Sequence, residues 1–178
     1  SGKPGIGKTF FVEYAAGLFI SGNATYVYGK CRQYDRNPLG AIAEVIEQTV
    51  RHILTLPTQS LKHIKNDCIQ KLGTDSAIIL SICPYAGILL GAHKAVHTDS
   101  LEQLKYKVRK AVHRFLEIAS TALFPLIVFI DDLQWADTLS LNVIEALCKD
   151  YDFFNLQLVL AYRDNEPGKA RLNPGKLP

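Results

Sequence analysis

The feature that most constrains the fold stands at the beginning of the chain, where Gly2 to Thr9 reads GKPGIGKT. The spacing G-x-x-x-x-G-K-T is typical of a loop that binds phosphate groups and leads into a helix. Its glycines allow backbone angles that turn successive N–H groups towards one anion, and the helix that follows directs its positive dipole end to the same point. The alternative is a glycine-rich turn that only caps a helix. The register of the glycines with Lys8 and Thr9 favours the phosphate loop.

Two side chains of this loop have the chemistry of a nucleoside triphosphate site. The Lys8 ammonium can contact the β- and γ-phosphates, and the Thr9 hydroxyl can be a ligand of Mg²⁺. We therefore take Lys8 as a candidate catalytic residue and Thr9 as a candidate metal ligand. The candidate nucleotide-binding residues are Gly2, Lys3, Pro4, Gly5, Ile6, Gly7, Lys8, Thr9 and Phe10.

A continuous apolar run, Leu126 to Ile130, ends in two carboxylates, Asp131 and Asp132. The run predicts a strand that is covered on both faces. Charged residues are seldom buried without purpose, and the carboxyl ends of parallel strands face the crevice where ligands bind. Asp131 would hold Mg²⁺, directly or through water, and Asp132 would orient or deprotonate an attacking water. The alternative is that this pair only caps a helix at the end of the strand.

A second apolar run, Leu156 to Ala161, is followed closely by Arg163. It predicts another buried strand, beside the acidic one. Arg163 would then reach the γ-phosphate, where it would stabilise charge in the transition state or report whether that phosphate is present. The alternative is a surface salt bridge with Asp164 or Glu166.

Strands and helices alternate along the chain, which predicts parallel pairing and an α/β fold. The first strand is predicted over residues 24–28, which are β-branched and aromatic. The candidate helix N-caps are Asn37 (with Pro38 at the first helical position), Asp99 or Ser100, and Asp137 or Ser140. The predicted helices are 9–21, 38–54, 60–72, 100–122 and 139–148, with two apolar segments on either side of Pro84.

Composition excludes several classes of protein. Apolar residues make up 48% of the 178 residues, which is too much for a chain disordered throughout. The net charge of +3 gives no support to a dedicated nucleic-acid or polyanion binder. The most apolar stretch, 77–92, is shorter than the roughly 20 residues that span a bilayer, so we expect no membrane insertion. The four cysteines show no C-x-x-C spacing, which favours reduced thiols in apolar surroundings.

Taken together, these segments resemble a known family. The stretches SGKPGIGKT (1–9), LIVFIDDLQWAD (126–137) and LVLAYRDNE (158–166) are similar to the ORC1-like AAA ATPase domain of the STAND class of signal-transduction ATPases. The stretches GKCRQYDRNPLGAI (29–42) and ICPYAGILLG (82–91) also resemble that family's pattern. The most specific piece is LQWAD, which generic P-loop proteins do not carry.

The resemblance implies a P-loop NTPase of the additional-strand type, with a parallel sheet flanked by helices. The predicted strands of this chain would lie side by side in a fixed order. The strand before Arg163 comes first, the strand that ends in Asp131 lies in the middle, and the strand predicted over residues 24–28 comes last. Such domains bind ATP with Mg²⁺ and act as slow hydrolytic switches. Carried over to this sequence, Gly2 to Thr9 bind phosphates, Asp131 serves the metal, Asp132 takes the place of the catalytic acid, and Arg163 takes the sensor position.

This sequence departs from the family's pattern at several points, which affect the expected turnover rate and the expected extent of the domain. Many motor-type relatives have Glu where Asp132 stands, and the shorter carboxylate reaches less far towards the water, which favours a switch. In the family's pattern a strand precedes the loop and a lid with its own arginine follows the sensor position, and we expect both to be missing from residues 1–178. We therefore expect residues 1–164 to be a P-loop ATPase domain truncated at both ends and 165–178 to be a loop or linker. We also expect the 178-residue piece to fold poorly alone and to bind ATP weakly.

The leading hypothesis is an ATP-binding, slowly hydrolysing regulatory switch in the cytoplasm. The resemblance implies that its partners are other domains of the same polypeptide, such as a kinase, cyclase or DNA-binding output module, and that it oligomerises when loaded. One alternative is a nucleotide-dependent assembly scaffold without useful hydrolysis. Another is a replication-initiator-like ATPase that acts on DNA, which the mild charge disfavours. A small-molecule kinase is a further alternative, although LQWAD has no place in that chemistry.

Overall fold

The computed structural model describes residues 24–35, 37–91, 100–149 and 155–163. The predicted phosphate loop with Phe10, the predicted helix over 9–21 and the tail 165–178 lie outside the described residues. In the described part, three strands form one parallel sheet in the order β1 (Thr25–Lys30), β2 (Leu126–Asp131) and β3 (Leu156–Leu160). The predicted α/β class and the predicted order of neighbours are therefore confirmed.

Helices connect the strands and flank the sheet. They are α1 (Gly40–Leu54), α2 (Thr58–Asp67), α3 (Ser76–Ile82), α4 (Gly87–Leu90), α5 (Leu101–Ala122) and α6 (Thr138–Lys149). A π-helical turn (Cys68–Leu72) extends α2, and short 3-10 turns lie at Gly73–Asp75, Pro84–Ala86 and Leu133–Trp135. In the parts of the chain that the structure describes, no helix has the length and apolar character needed to cross a membrane.

The core is built around β2, whose six residues are all buried. This agrees with the continuous apolar run that predicted a strand covered on both faces. The α1 helix packs on β1 and buries the face that its helical spacing predicts, namely Ile42, Val45, Ile46, Thr49, Val50 and Ile53, together with Ala41. The long α5 helix packs against α6 and α3, and its buried residues include Val108, Ala111, Val112, Phe115, Leu116 and Ala119.

Three details differ from the sequence-based expectation. The α1 helix begins at Gly40 rather than at Pro38, because Leu39 has a left-handed backbone (φ 66°) that a helix cannot include. The residues of β3 are half-buried or exposed rather than buried, since in the described sheet β3 pairs only with β2. The helical spacing of Leu101, Leu104 and Val108 predicts Leu101 on the inward face of α5, but Leu101 is 61% exposed at the first position of the helix. Ser100, one of two candidate caps, accepts the Gln103 N–H at 3.2 Å.

All four cysteines are free thiols, as the sequence predicts. Cys31, Cys68 and Cys83 are buried, and Cys148 is half-buried. Burial raises the pKa of Cys31 to about 12, with Asp137 and neighbouring carboxylates adding to the effect, and burial likewise raises the pKa of Cys68 to about 11. These thiols are therefore protonated at neutral pH and fill apolar space.

Side chains of α1 cover the outer edge of β1. Gln48 accepts the Tyr28 N–H at 3.0 Å and donates to the Tyr28 carbonyl at 2.5 Å. Glu44 accepts the Lys30 N–H at 2.9 Å through its Oε2. An uncovered edge presents backbone groups that can pair with another strand, and these two side chains occupy those groups. The α1 helix thus holds β1 by hydrogen bonds as well as by apolar packing.

The backbones of β1 and α1 approach each other closely at Gly29. A Cβ there would lie 2.3 Å from the Ala41 carbonyl oxygen, and 3.1 Å from a methyl group of Val45. Only a residue without a side chain fits this contact, so Gly29 sets the distance between strand and helix.

We predict that Gly29→Ala weakens the packing of α1 on β1 by about 1–3 kcal/mol, the usual cost of overpacking a core. Hydrogen exchange of the amides in both elements should become about ten- to a hundredfold faster. Gly87→Ala is the matched control, because its Cβ would meet only Leu80 Cδ2 at 3.6 Å, an ordinary contact. Equal exchange rates in the two variants would show that the close approach at Gly29 does not determine how α1 packs on β1.

Candidate functional site

The carboxyl ends of the three strands bring together residues that lie far apart in the sequence. Parallel pairing aligns Lys30 with Asp131 and Ile130 with Leu160. The side chains that follow β2 and β3, and the last side chain of β1, therefore meet at one edge of the sheet. This edge is where ligands bind in open parallel sheets.

Asp132 leaves the strand in a left-handed conformation, with φ 52° and ψ 42°. Aspartate tolerates this region better than most residues, because its short side chain bonds locally. Its N–H donates to Asp131 Oδ1 at 2.8 Å, and its carbonyl accepts the Trp135 N–H at 2.9 Å. This sharp turn ends β2 and begins the short helical turn Leu133–Trp135.

The carboxylate of Asp132 is held by three side chains. Its Oδ2 lies 3.2 Å from the Lys30 ammonium, while its Oδ1 accepts from Arg163 Nε at 3.1 Å and from Gln134 Nε2 at 3.1 Å. Gln134 also accepts the backbone N–H of Arg163 at 3.1 Å. Gln134 therefore orients the carboxylate and the arginine relative to each other.

Burial and charge act in opposite directions on Asp132. The Asp132 side chain is 11% exposed, against 40% for Lys30 and 34% for Arg163. Burial raises the pKa of Asp132, but hydrogen bonds from Gln134 and Lys30 and the positive charges of Lys30 and Arg163 outweigh it and leave the pKa below its usual value. Asp132 is therefore an ionised acceptor at neutral pH.

Asp131 is a carboxylate that could hold a metal ion. It is only 4% exposed and ends the buried central strand, where its side chain accepts the Asp132 N–H. Carboxylate oxygen is a donor that Mg²⁺ prefers. The oxygens of Asp132 already contact two cationic side chains. Among the residues that the structure describes, no three His, Cys, Asp or Glu side chains form a metal-binding group.

The structure thus brings together three predicted site residues: Asp131, Asp132 and Arg163. The predicted residues Gly2 to Phe10, including Lys8 and Thr9, lie outside the described part of the chain. Arg163 contacts Asp132, whereas Asp164 and Glu166, the partners of the alternative interpretation, are not described.

Sequence reasoning missed Lys30 and Gln134. Lys30 stands two residues beyond the predicted end of the first strand. Extending that strand in parallel beside the acidic run would have placed Lys30 next to Asp131. Gln134 carries no such signal, because its contacts depend on the left-handed turn at Asp132.

The LQWAD segment ends in a carboxylate with a defined role. Asp137 Oδ1 accepts the N–H groups of Leu139 at 2.9 Å and Ser140 at 3.0 Å, which confirms Asp137 as the cap of α6. Its Oδ2 accepts the Leu39 N–H at 3.0 Å. Trp135 is half-buried and packs against the core.

Comparison with known proteins agrees with this arrangement. Residues 1–160 match the family described as the AAA ATPase domain, and the chain belongs to that family. The parallel three-stranded sheet flanked by helices is consistent with the P-loop NTPase fold of that family.

Among curated proteins, the chain is 29% identical over 147 residues to the "Hybrid signal transduction histidine kinase G" of Dictyostelium discoideum. The match covers 83% of this chain but 4% of that protein, so the chain spans a small fraction of its relative's length. No solved structure matches.

We predict that Asp132→Asn lowers the free energy of unfolding by about 1–2 kcal/mol at pH 7, because both cations lose their charged partner. The difference from the wild type should shrink below about pH 4. The folded-state pKa of Asp132 is lowered, so its contribution is present above the unfolded-state pKa and is lost as pH falls through the folded-state value. Urea unfolding followed by the fluorescence of Trp135, the single tryptophan, measures this.

Glu102→Gln is the control for that measurement. Glu102 also pairs with a lysine, at 2.6 Å, but its side chain is 80% exposed. Loss of this pair should change the unfolding free energy by less than about 0.5 kcal/mol. A difference between the wild type and Asp132→Asn that does not depend on pH would contradict the assignment of an ionised Asp132.

Proposed function

We propose that the chain is an ATP-binding, slowly hydrolysing regulatory switch of a multidomain signalling protein. The observation that carries the proposal is the contact between Asp132 and Arg163 at the ends of neighbouring strands. Membership of the AAA ATPase family supports ATP as the ligand. The printed name of the Dictyostelium discoideum relative, a signal transduction histidine kinase, supports a signalling context.

The proposal assigns a role to each candidate residue. Gly2 to Phe10 cradle the phosphates, and Lys8 places its charge on them. Thr9 and Asp131 would hold Mg²⁺, which supplies charge neutralisation on the phosphates when bound. Asp132 positions the attacking water, and Arg163 stabilises the charge on the γ-phosphate.

The contacts of Asp132 support slow turnover. Both oxygens accept from other side chains, two of them cationic. A carboxylate in such contacts is a weaker base and has fewer lone pairs left for a water. Arg163 would have to turn from Asp132 to a phosphate before it could act on the nucleotide.

The same contacts favour a second candidate function, a scaffold that assembles on ATP without useful hydrolysis. In that case the Lys30 and Arg163 pairs would hold Asp132 permanently. Both the switch and the scaffold would be ATPases of the ORC1-like, STAND class. In both cases we propose that the partners are other domains of the same polypeptide, that the ATP-bound state is a homo-oligomer, and that the protein is cytoplasmic.

Substitutions in the full-length protein separate these possibilities. We predict that Lys8→Ala abolishes ATP binding, measured with a fluorescent ATP analogue, because the phosphates lose their ammonium partner. Asp132→Asn should leave binding within about threefold of the wild type and lower turnover at least about a hundredfold, as expected for removal of a water-positioning group. Lys62→Ala, at an exposed position on α2, is the control and should change neither quantity.

The outcomes lead to different conclusions. Normal ATP binding by Lys8→Ala would end the assignment of a nucleotide site. A wild-type protein that binds ATP and assembles but turns over no faster than Asp132→Asn would favour the scaffold.

A further inference from the structure

Two connecting segments run side by side at the carboxyl edge of the sheet. The β1–α1 connection comprises residues 31–39, and the acidic turn comprises residues 132–137. They are joined at one end by the Cys31 N–H, which donates to the Asp131 carbonyl at 3.0 Å, and by the Lys30 ammonium on Asp132. At the other end the Leu39 N–H donates to Asp137 Oδ2 at 3.0 Å. The described residues of the two segments are thus fastened at both ends.

The two oxygens of the Asp137 carboxylate accept hydrogen bonds at the starts of two different helices, α6 and α1. Oδ1 caps α6 by accepting from Leu139 and Ser140, while Oδ2 accepts from the Leu39 N–H and from the Ser140 hydroxyl, the latter at 2.5 Å. The α1 helix has no side-chain cap from its own N-cap residue, Leu39. Instead, the N–H of Leu39 at the start of α1 donates to Asp137, a residue 98 positions away in the sequence.

A second step leads from α1 to the acidic turn. Glu44, in the second turn of α1, accepts the Lys30 N–H at 2.9 Å and pairs with Arg32 at 2.6 Å. Glu44 thus ties the backbone of Lys30 to α1, in addition to the pairing of β1 with β2. The Lys30 ammonium in turn contacts Asp132 at 3.2 Å.

The two segments are not sealed together by close packing. A cavity of about 30 Å³ lies between them, and its lining includes Lys30, Cys31, Trp135 and Asp137. Polar contacts at the two ends therefore set the distance between the segments.

We propose that Asp137 is a positioning residue that, through the Leu39 N–H, α1 and Glu44, fixes the Lys30 ammonium relative to Asp132. Its cap of α6 and its hold on α1 are two separate functions of one carboxylate. The consequence for ATP turnover rests on the proposed function, whereas the positional role does not.

Asp137→Asn separates the two functions in the full-length protein. The amide oxygen of Asn can still accept from Leu139 and Ser140, so the cap of α6 remains. Its NH₂ group would face the Leu39 N–H, donor against donor, and that contact is lost. Asp137→Ala removes both functions, and Ser140→Ala removes only the hydroxyl while both carboxylate oxygens stay in place.

Hydrogen exchange resolved to single amides reads the positional role directly. In Asp137→Asn we expect the amides of Leu39 and Lys30 to exchange about tenfold faster, the change expected for one lost hydrogen bond of ordinary strength. The amides of Leu139 and Ser140 should stay within about twofold of the wild type. Asp137→Ala should accelerate all four, and Ser140→Ala should leave Leu39 and Lys30 unchanged.

Turnover supplies the second readout. In the proposal, Asp137 acts through Lys30, whose contact with Asp132 weakens that carboxylate as a base. Asp137→Asn should therefore raise kcat about tenfold and leave KM for ATP within about twofold. Unchanged exchange at Lys30 in Asp137→Asn would overturn the proposal, and so would equal loss of protection at Leu139 in the Asn and Ala variants. Faster exchange at Lys30 with unchanged kcat would overturn the link to turnover. Failure of the proposed function would be seen in a different experiment, in which Lys8→Ala binds ATP as well as the wild type does.

Discussion

The carboxylate of Asp132 accepts from cations on both sides of the central strand, Lys30 at the end of β1 and Arg163 after β3. This arrangement requires that all three strands run in the same direction, so that their carboxyl ends meet. An antiparallel neighbour would place its last residue at the opposite edge of the sheet. It also requires the left-handed turn at Asp132, which takes the carboxylate out of the buried strand and into the crevice between the strand ends.

Much of this edge could be predicted from the sequence, because the signals for it are local. An uninterrupted apolar run predicts a strand covered on both faces, and β2 is fully buried. Asp131 and Asp132 directly follow that run, and Arg163 follows the next one, so parallel pairing was enough to place the three together. Residues 1–23 lie outside the described part of the chain, and the assignment of the phosphate loop stays a prediction.

What the sequence did not reveal depends on contacts between distant segments. Leu39 has its left-handed backbone where its N–H meets Asp137, and no local pattern around Asn37 and Pro38 shows this. The register of β1 on β2 places Lys30 beside Asp132, and the left-handed turn at Asp132 does the same for Gln134. The half-buried side chains of β3 have a similar origin, because burial depends on neighbours that an apolar run does not identify.

The formal charges at the edge explain why the placement of Lys30 matters. Lys30 and Arg163 balance the two carboxylates of Asp131 and Asp132, so the described part of the edge offers no excess positive charge to a triphosphate. Attraction for the phosphates would come from the glycine loop and from a metal ion. If Arg163 turned to a phosphate, Lys30 would be the cation left on Asp132. A lysine is a flexible point charge, and its ammonium stays near one carboxylate only if its backbone is held. Pairing of β1 with β2 holds that backbone, and the hydrogen bond from the Lys30 N–H to Glu44, on a helix that Asp137 contacts, adds to the hold.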